Sequence, residues 1–370
     1  MKVRLGDYIE EYSVRNKKGE DIPVYSVTNT QGFCKDYFGK EVASKDKTTY
    51  KIVPRGCFAF NPSRINVGSV DWQRNEERVI VSPLYNVFSV SEQLDQQYLY
   101  YYLKSDFALQ RIRAVATGSV RDNLKLAMLY EFPIELPDIT EQRIIVDKLD
   151  RVKQIISLRE KEVQALDDLI RARFVEMFED EKNLMAMSDI CSIITDGTHQ
   201  PPKFKKDGIP FIFVSNITGD KLTYDAEKFI DQDTYDELVK RTPIEIGDVL
   251  LSTVGSYGHP AVVKSEKKFL FQRHIAYLKP RREFVDSDYL HGAILSPEAQ
   301  RQIEEGVKGI AQKTLNLSEI KKMRIPVPNM VKQKEFAAFV SHVDKSKAVI
   351  QKSLDEMQLL FDSLMQQYFG

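Results

Sequence analysis

At 370 residues, with 42% hydrophobic and 10% aromatic content, the chain can build two cores of ordinary domain size and is too apolar to be disordered. Its formal net charge of −1 excludes a uniformly basic packaging protein, so any nucleic-acid face must be a local patch. No run approaches the roughly 20 apolar residues of a membrane span, and Met1 to Tyr12 is charged throughout, unlike a signal peptide, so the expected compartment is the cytoplasm.

Residues 1–116 open with short β-rich runs separated by Gly, Pro and charged turns: IPVYSV (22–27), CFAFN (57–61) and RVIVSPLYNVFSV (78–90). They close with a helical pattern over 98–115, YLYYYLKSDFALQRIRAV. A connecting segment, 117–183, follows. It begins with an extended stretch, FPIELP, that ends at Pro137, and Asp138 then predicts an N-cap with Glu141 as the other half of a capping box. Beyond the cap, Leu149, Val152, Ile156, Val163, Leu166, Ile170 and Met177 fall at heptad spacing, interrupted by Arg159 and Arg173. The spacing predicts a helix over 139–178, about 60 Å long at the α-helical rise.

After the charged junction FEDEKN (178–183), residues 184–307 repeat the plan. The runs IPFIFVSNI, DVLLSTV, PAVVKS and HIAYLKP predict strands, and YLHGAILSPEAQRQIEEG (289–306) a closing helix. Residues 308–370 carry MRIPVP, an N-cap at Asn329 and a second seam of Val340, Val343, Ile350, Leu354, Met357, Phe361, Leu364 and Tyr368, interrupted by Lys347. Each globular part reads as an α+β domain with a mixed or antiparallel curled sheet. The first carries 17 Lys and Arg against 14 Asp and Glu, the second 15 against 19, so neither is strongly basic.

Sliding the chain along itself by 191 residues aligns 117–178 with 308–369 without a gap, and ten of the 62 positions are identical. They are Gly118/Gly309, Leu124/Leu315, Leu126/Leu317, Ile134/Ile325, Pro137/Pro328, Gln142/Gln333, Val152/Val343, Lys161/Lys352, Leu169/Leu360 and Phe178/Phe369. The shift extends back through Tyr98/Tyr289, Leu99/Leu290, Ser105/Ser296, Ile112/Ile303 and Gly56/Gly247. Two tandem copies of one plan predict two α+β domains of ordinary size joined by a pair of long antiparallel helices, a coiled coil with pseudo-twofold symmetry.

Several segments resemble the specificity subunits of type I restriction-modification systems. In the second half they are ITDGTHQPPKF (194–204), GDVLLSTVGSYGHPAVV (247–263) and LNLSEIKKMRIPVP (315–328). In the first half they are PVYSVTNTQGF (23–33), YKIVPRGCFAFNPSRINVGSV (50–70) and LKLAMLYEFPIELPDITEQRII (124–145). The resemblance implies target-recognition domains at 1–116 and 184–307, each followed by a connecting segment and long helix. It further implies a subunit that reads double-stranded DNA at a bipartite, asymmetric target, binds two adenine methyltransferase (modification) subunits along its helices, and joins restriction subunits in the full complex. Cofactors are then expected in the partners (S-adenosylmethionine, ATP and Mg2+) and none in this chain. The related alternative is the specificity subunit of a methylation-only system.

The individual motifs support no chemistry of their own. Asn61-Pro62-Ser63-Arg64 superficially resembles the amino-methyltransferase [DN]PP[YF] motif but lacks the second proline and the stacking aromatic. Gly255-Ser256-Tyr257-Gly258 lacks the helix that would make it a nucleotide cradle, and reads as a tight turn. His199 has no second His or Cys at ligand spacing, so no metal site is expected; ordering its loop by a hydrogen bond is its ordinary role. Cys34, Cys57 and Cys191 are far apart and read as buried thiols. A self-contained methyltransferase or nuclease would need motifs the chain lacks, and a coiled-coil adaptor would not need two similar β-rich domains. Candidate base readers are polar loop residues able to reach groove edges: Thr28, Asn29, Thr30, Gln31, Asn61, Ser63, Arg64 and Asn66 in the first half. In the second half they are Thr198, His199, Lys203, Ser256, Tyr257, Arg273 and His274. Each also suits ordinary turn chemistry. Lys205, Lys206, Lys267, Lys268, Arg281 and Arg282 are candidates for phosphate contact or plain solvation.

Overall fold

The computed structural model describes residues 2–35, 46–116, 123–309 and 313–370. It divides into two compact units, residues 1–159 with 352–370 and residues 160–351, so the division falls inside both long helices.

In the first unit, strands β1 (Ile9–Glu11), β2 (Phe58–Phe60), β3 (Val70–Trp72) and β4 (Asn86–Val90) form an antiparallel sheet in the order β1-β4-β2-β3. Phe58, Ala59 and Phe60 are all fully buried, so β2 is covered on both faces, which explains its unbroken apolar run. Three further antiparallel pairs, Lys2–Arg4 with Pro133–Glu135, Ser26–Thr28 with Gly32–Cys34 and Lys51–Pro54 with Arg78–Val81, complete the strands described in this unit. Most of IPVYSV is therefore not strand. Pro23 has no N–H to donate and instead accepts from Ile80 N at 2.9 Å.

The helical run at 98–115 is two helices, α1 (Gln96–Lys104) and α2 (Asp106–Val115), not the single one that its pattern predicts. Ser105 breaks it. Its backbone is extended and its hydroxyl accepts from Ala108 N at 3.2 Å, an N-cap for α2 that competes with continuation of α1. Helix α3 (Ile139–Phe178) then runs 40 residues from an N-cap in which the Asp138 carboxylate accepts from Glu141 N at 2.9 Å.

The second unit repeats this plan. Strands β5 (Cys191–Asp196), β6 (Val249–Ser252), β7 (Pro260–Val262) and β8 (Ile275–Pro280) lie in the order β5-β8-β6-β7, the same topology as the first sheet. Residues Ile209–Ile212 add a mixed sheet, antiparallel to Phe229–Ile230 and parallel to Leu270–Phe271. IPFIFVSNI leaves strand geometry at Val214, because Asn216 Oδ1 accepts from Phe213 N at 3.0 Å and curls the chain into a 3-10 turn. The closing helix is again two, α4 (Ser287–Leu295) and α5 (Pro297–Gly306), broken at Ser296 with Pro297 in the first turn. Helix α6 (Met330–Phe369) is also 40 residues long, and Asn329 Oδ1 caps it through Lys332 N at 3.1 Å.

The duplicated sequence is a duplicated set of hydrogen bonds. Gln142 is fully buried: Oε1 accepts from Asp95 N at 2.8 Å, while Nε2 donates to the carbonyls of Gln93 and Pro137, each at 2.9 Å. Gln333, equally buried, does the same with Asp286 N, Phe284 O and Pro328 O at 2.9, 2.9 and 2.8 Å. Tyr98 donates to Glu135 O at 2.9 Å, and Tyr289 to Pro326 O at 2.7 Å. Every one of these partners is shifted by 191 residues, which no chance resemblance of composition would produce. Gly118, of the Gly118/Gly309 pair, lies outside the described residues.

The cores are closed by exchange. Tyr98 packs on Phe369 of α6 at 5.0 Å between ring centroids, and Tyr289 packs on Phe178 of α3 at 5.1 Å. Each copy's tyrosine thus meets the last phenylalanine of the other copy's helix. Within the second unit α3 and α6 run antiparallel, with Asp167 paired to Lys347, and Arg173 3.9 Å from Glu335. The Lys347 interruption of the seam is thereby neutralised.

Along the seam, Leu149, Val152, Val340 and Val343 are buried, whereas Ile156, Val163, Leu166, Ile170, Met177, Ile350, Leu354, Met357, Phe361, Leu364 and Tyr368 are half-buried. The heptad reading missed Ile145, Phe174, Phe178, Phe336 and Phe369, all buried. These lie near the ends of the helices, where a sheet-and-helix core covers them; two helices alone cover only a strip of each other. Cys57 and Cys191 are buried, but Cys34 is only half-buried, and all three are free. Among the described residues no helix is long and apolar enough to cross a membrane.

Candidate nucleic-acid interface

Strand register decides which loops share a surface. In the first unit Phe60 at the end of β2 lies opposite both Val70 at the start of β3 and Asn86 at the start of β4. Loop 61–69 therefore caps one end of the sheet. The hairpin turn at Thr28–Gln31 comes against it, and a cleft of about 330 Å³ is lined by Thr28, Asn29, Thr30, Asn61 and Arg64, with Ser69 and Tyr85 at its wall. Five of the eight first-half candidates thus meet in one cavity; Gln31, Ser63 and Asn66 stand outside its lining.

Hydrogen bonds separate the turn-builders from the open groups. Thr28 is buried and its hydroxyl accepts from Gln31 N at 3.0 Å. Asn61 Oδ1 accepts from Ser63 N at 3.1 Å, an Asx turn, and Ser63 Oγ donates to Asn123 at 2.8 Å. Asn66 serves through its carbonyl, which accepts from Arg113 Nε at 3.2 Å. Asn29, Thr30, Gln31 and Arg64 are exposed. Arg64 offers the bidentate fork suited to guanine, and Asn29 and Gln31 the paired donor and acceptor suited to adenine.

In the second unit Asp196 ends β5 opposite Ala276, Ser252 ends β6 opposite Ile275, and Pro260 starts β7 opposite Leu251. Segments 197–203, 253–259 and 272–274 consequently leave the same end of the sheet. Backbone bonds lace them together: Thr198 N to Phe271 O at 2.9 Å, Arg273 N to Thr198 O at 3.1 Å, and Thr253 N to His274 O at 2.9 Å. Thr198, His199, Ser256, Tyr257, Arg273 and His274 all belong to this end, while exposed Lys203 lies farther along its segment.

His199 Nε2 sits 2.9 Å from Asp196, the loop-ordering contact expected of it, and Asp196 also pairs with Arg241 at 2.6 Å. Tyr257 donates to Glu304 at 2.5 Å, and Lys313 holds the same carboxylate at 3.0 Å, so this hydroxyl is already engaged. Burial, with Arg273 beside it, lowers the pKa of His274; the ring is neutral at pH 7, with one donor and one acceptor nitrogen. No cluster of metal-ligating groups occurs among the described residues.

The basic candidates are largely committed within the chain. Lys205 pairs with Asp231 at 3.4 Å, Lys267 lies over Tyr224 and Lys268 over Tyr235, and Arg282 donates to Ile246 O. Lys206 is exposed. Arg281 and Arg282 follow the C-terminal end of β8, away from the turns gathered at its start.

Two cationic groups escaped the sequence reading. Lys104, at the end of α1, donates to Asn29 O at 3.0 Å and to Gly68 O, joining the two sides of the first cleft. Arg241 joins the Asp196–His199 contact. Neither has a local signature: each is a long side chain on a short helix that reaches a turn far away in sequence.

Two units of one plan, each gathering polar turns at one sheet end, make the architecture of a duplicated recognition protein. The chain belongs to the type I restriction modification DNA specificity domain family, whose model matches residues 3–167 and 179–358. It is 24% identical over 299 residues to the type I restriction enzyme EcoBI specificity subunit of Escherichia coli, covering 70% of this chain and 62% of that protein, less than two thirds of the relative's length. With the EcoKI specificity subunit of E. coli strain K12 it shares 22% identity over 392 residues, covering 98% of this chain and 84% of that one. Its fold is similar to a chain from a solved structure on complex assembly and conformational transition of the type I R-M system (TM-score 0.60, 19% identity, 100% and 97% covered). It is also similar to the S subunit of a type I restriction-modification system from M. genitalium (TM-score 0.54, 14% identity, 100% and 96% covered).

Proposed function

We propose that this chain is the DNA-reading, non-catalytic subunit of a type I restriction-modification complex in the cytoplasm, with recognition domains at 1–116 and 184–307. Each domain reads one half of a bipartite, asymmetric target. The observation that carries this reading is that the same sheet end in both units bears different polar side chains: Asn29, Thr30, Gln31 and Arg64 in one, Thr198, His199, Ser256 and Arg273 in the other. One sheet topology with different edge groups is what an asymmetric target requires.

Partner docking has its own support. The exposed apolar residues on the long helices include Leu158 and Leu360 in the first unit and Val349 and Leu169 in the second. Leu158 corresponds to Val349, and Leu169 to Leu360, under the 191-residue shift. Each unit therefore presents the same pair, as two copies of one methyltransferase subunit would need. Those subunits would supply S-adenosylmethionine chemistry and much of the phosphate contact that a chain of net charge −1 lacks.

The experiment is to exchange residues 1–116 for those of another specificity subunit and sequence the methylome of a host carrying the complex. One half-site is expected to change and the other to persist; a change in both, or in neither, would overturn the reading. Purified chain incubated with S-adenosylmethionine and DNA should transfer no methyl group until the methyltransferase subunit is added.

A further inference from the structure

The first cleft is made by two loops far apart in sequence, and one side chain joins them. Lys104 reaches from the last turn of α1 and donates to Asn29 O at 3.0 Å, Asn29 Oδ1 at 3.4 Å and Gly68 O. Asn29 belongs to the 28–31 turn and Gly68 to loop 61–69, so a single ammonium group binds both rims. The loops meet closely there. Gly68 has φ +88°, and a Cβ on it would stand 2.7 Å from Asn29 Oδ1 and 3.4 Å from Lys104 Nζ.

We propose that Lys104 is a positioning residue for DNA reading by the first unit: it holds the 28–31 turn and loop 61–69 in one relative placement, and base discrimination at the first half-site depends on that tie. The inference rests on the DNA-reading function proposed above. Its physical basis is preorganisation. Asn29, Thr30 and Arg64 can read adjacent base edges only if the turn and the loop are fixed relative to each other; a charge-assisted bond to each backbone carbonyl fixes them, and the 3.4 Å contact with Asn29 Oδ1 orients that amide as well. The second unit offers an internal control, because the position equivalent to Lys104 is Leu295, which has no ammonium to give.

The tie is also sensitive to pH. Burial pushes the Lys104 pKa down to about 8, with Asp71 pulling it up and Lys153 pushing it further down. The other charged or titratable neighbours are Arg74, whose guanidinium shares the Tyr100 ring with the Lys104 ammonium, Tyr100 itself, whose own pKa is raised by burial, Arg64 in the cleft and Arg113 against loop 61–69. Tyr100, its pKa raised by burial, stays neutral from pH 7 to 9. Over that range Lys104 loses its charge, and its bonds to the two rims weaken from charge-assisted to neutral.

The test uses the full chain in complex with its methyltransferase subunit. Competition binding compares cognate duplex with duplexes carrying one substituted base pair in either half-site. Lys104→Met is expected to reduce discrimination at the first half-site about tenfold, the order of one misplaced base contact, and to leave the second unchanged. Gly68→Ala, whose Cβ would crowd Asn29 Oδ1 at 2.7 Å and press on the Lys104 ammonium at 3.4 Å while the lysine itself is retained, should produce the same selective loss. The parent complex should lose first-half-site discrimination between pH 7 and pH 9, whereas Lys104→Arg, charged throughout, should keep it. Full discrimination in Lys104→Met would overturn the tie while leaving the DNA-reading function standing. A uniform drop in affinity for cognate and substituted duplexes would instead mark Lys104 as a phosphate contact and also overturn it. If the parent complex itself shows no discrimination at the half-site assigned to residues 1–116, the underlying function is what fails.

Discussion

In the first unit Tyr101 of α1 is buried beside α3 and α6, with its ring 6.1 Å from Phe361 and its hydroxyl 2.5 Å from Asp150. In the second unit the same position of α4 is Gly292, and the space belongs to Phe336 of α6, whose counterpart in α3 is the smaller Ile145. Volume has moved from one side of a helix contact to the other. The hydrogen-bonding skeleton around it, Gln142 with Tyr98 and Gln333 with Tyr289, has not moved at all. An apolar core accepts any partition of the same volume, but a buried amide with three partners has almost no alternative geometry.

The strongest test of this contrast is to force the first unit's partition onto the second. A Cβ at Gly292 would lie 2.4 Å from Phe336, so Gly292→Tyr should destabilise the second unit by about 3 kcal/mol or more. Adding Phe336→Ile should recover a large part of that loss in urea unfolding. A double variant no better than the single one would mean that the two sites do not share one space.

The skeleton should show equivalent sensitivity in both copies. Gln142→Met and Gln333→Met each strand one N–H and two carbonyls in a buried site, and each is expected to cost about 2–3 kcal/mol. Markedly unequal losses, with hydrogen exchange reporting each unit separately, would break the equivalence drawn from geometry. Leu166→Asp on the half-buried seam should cost less, about 1–2 kcal/mol, because part of the new carboxylate stays hydrated. Its larger effect should be on methylation of the full target, where both units must engage together; unaltered methylation would leave the seam without a role in coupling them.

A smaller difference separates Asp248 from Cys57, its counterpart under the shift. Asp248 is 1% exposed, accepts from Tyr277 at 2.7 Å and Glu245 N at 2.8 Å, and burial raises its pKa. The raised carboxyl favours the folded state when protonated, so its contribution is full in acid and is lost as pH rises through its folded value. Asp248→Asn removes that dependence. Relative to the parent, the variant should therefore gain stability on going from acid to neutral pH; urea midpoints that stay parallel across pH would disprove it.

Local signals made the duplicated plan, both 40-residue helices and their caps at Asp138 and Asn329 legible in the sequence. A cap, a proline stop and a heptad are written within a few residues, and a constant shift of 191 needs no structure to be seen. Ser105 and Ser296 were harder, since a serine inside a helical pattern breaks it only when its hydroxyl turns to cap the next helix. The tertiary structure alone decided that Tyr98 meets Phe369 and Tyr289 meets Phe178, that Phe174 and Phe336 belong to a core, and that five of eight candidate readers share a cleft. Lys104 and Arg241 belong to the same class. Their importance lies in what they reach, and the reach of a long side chain to a loop tens of residues away follows from strand register and helix packing, which no local pattern encodes.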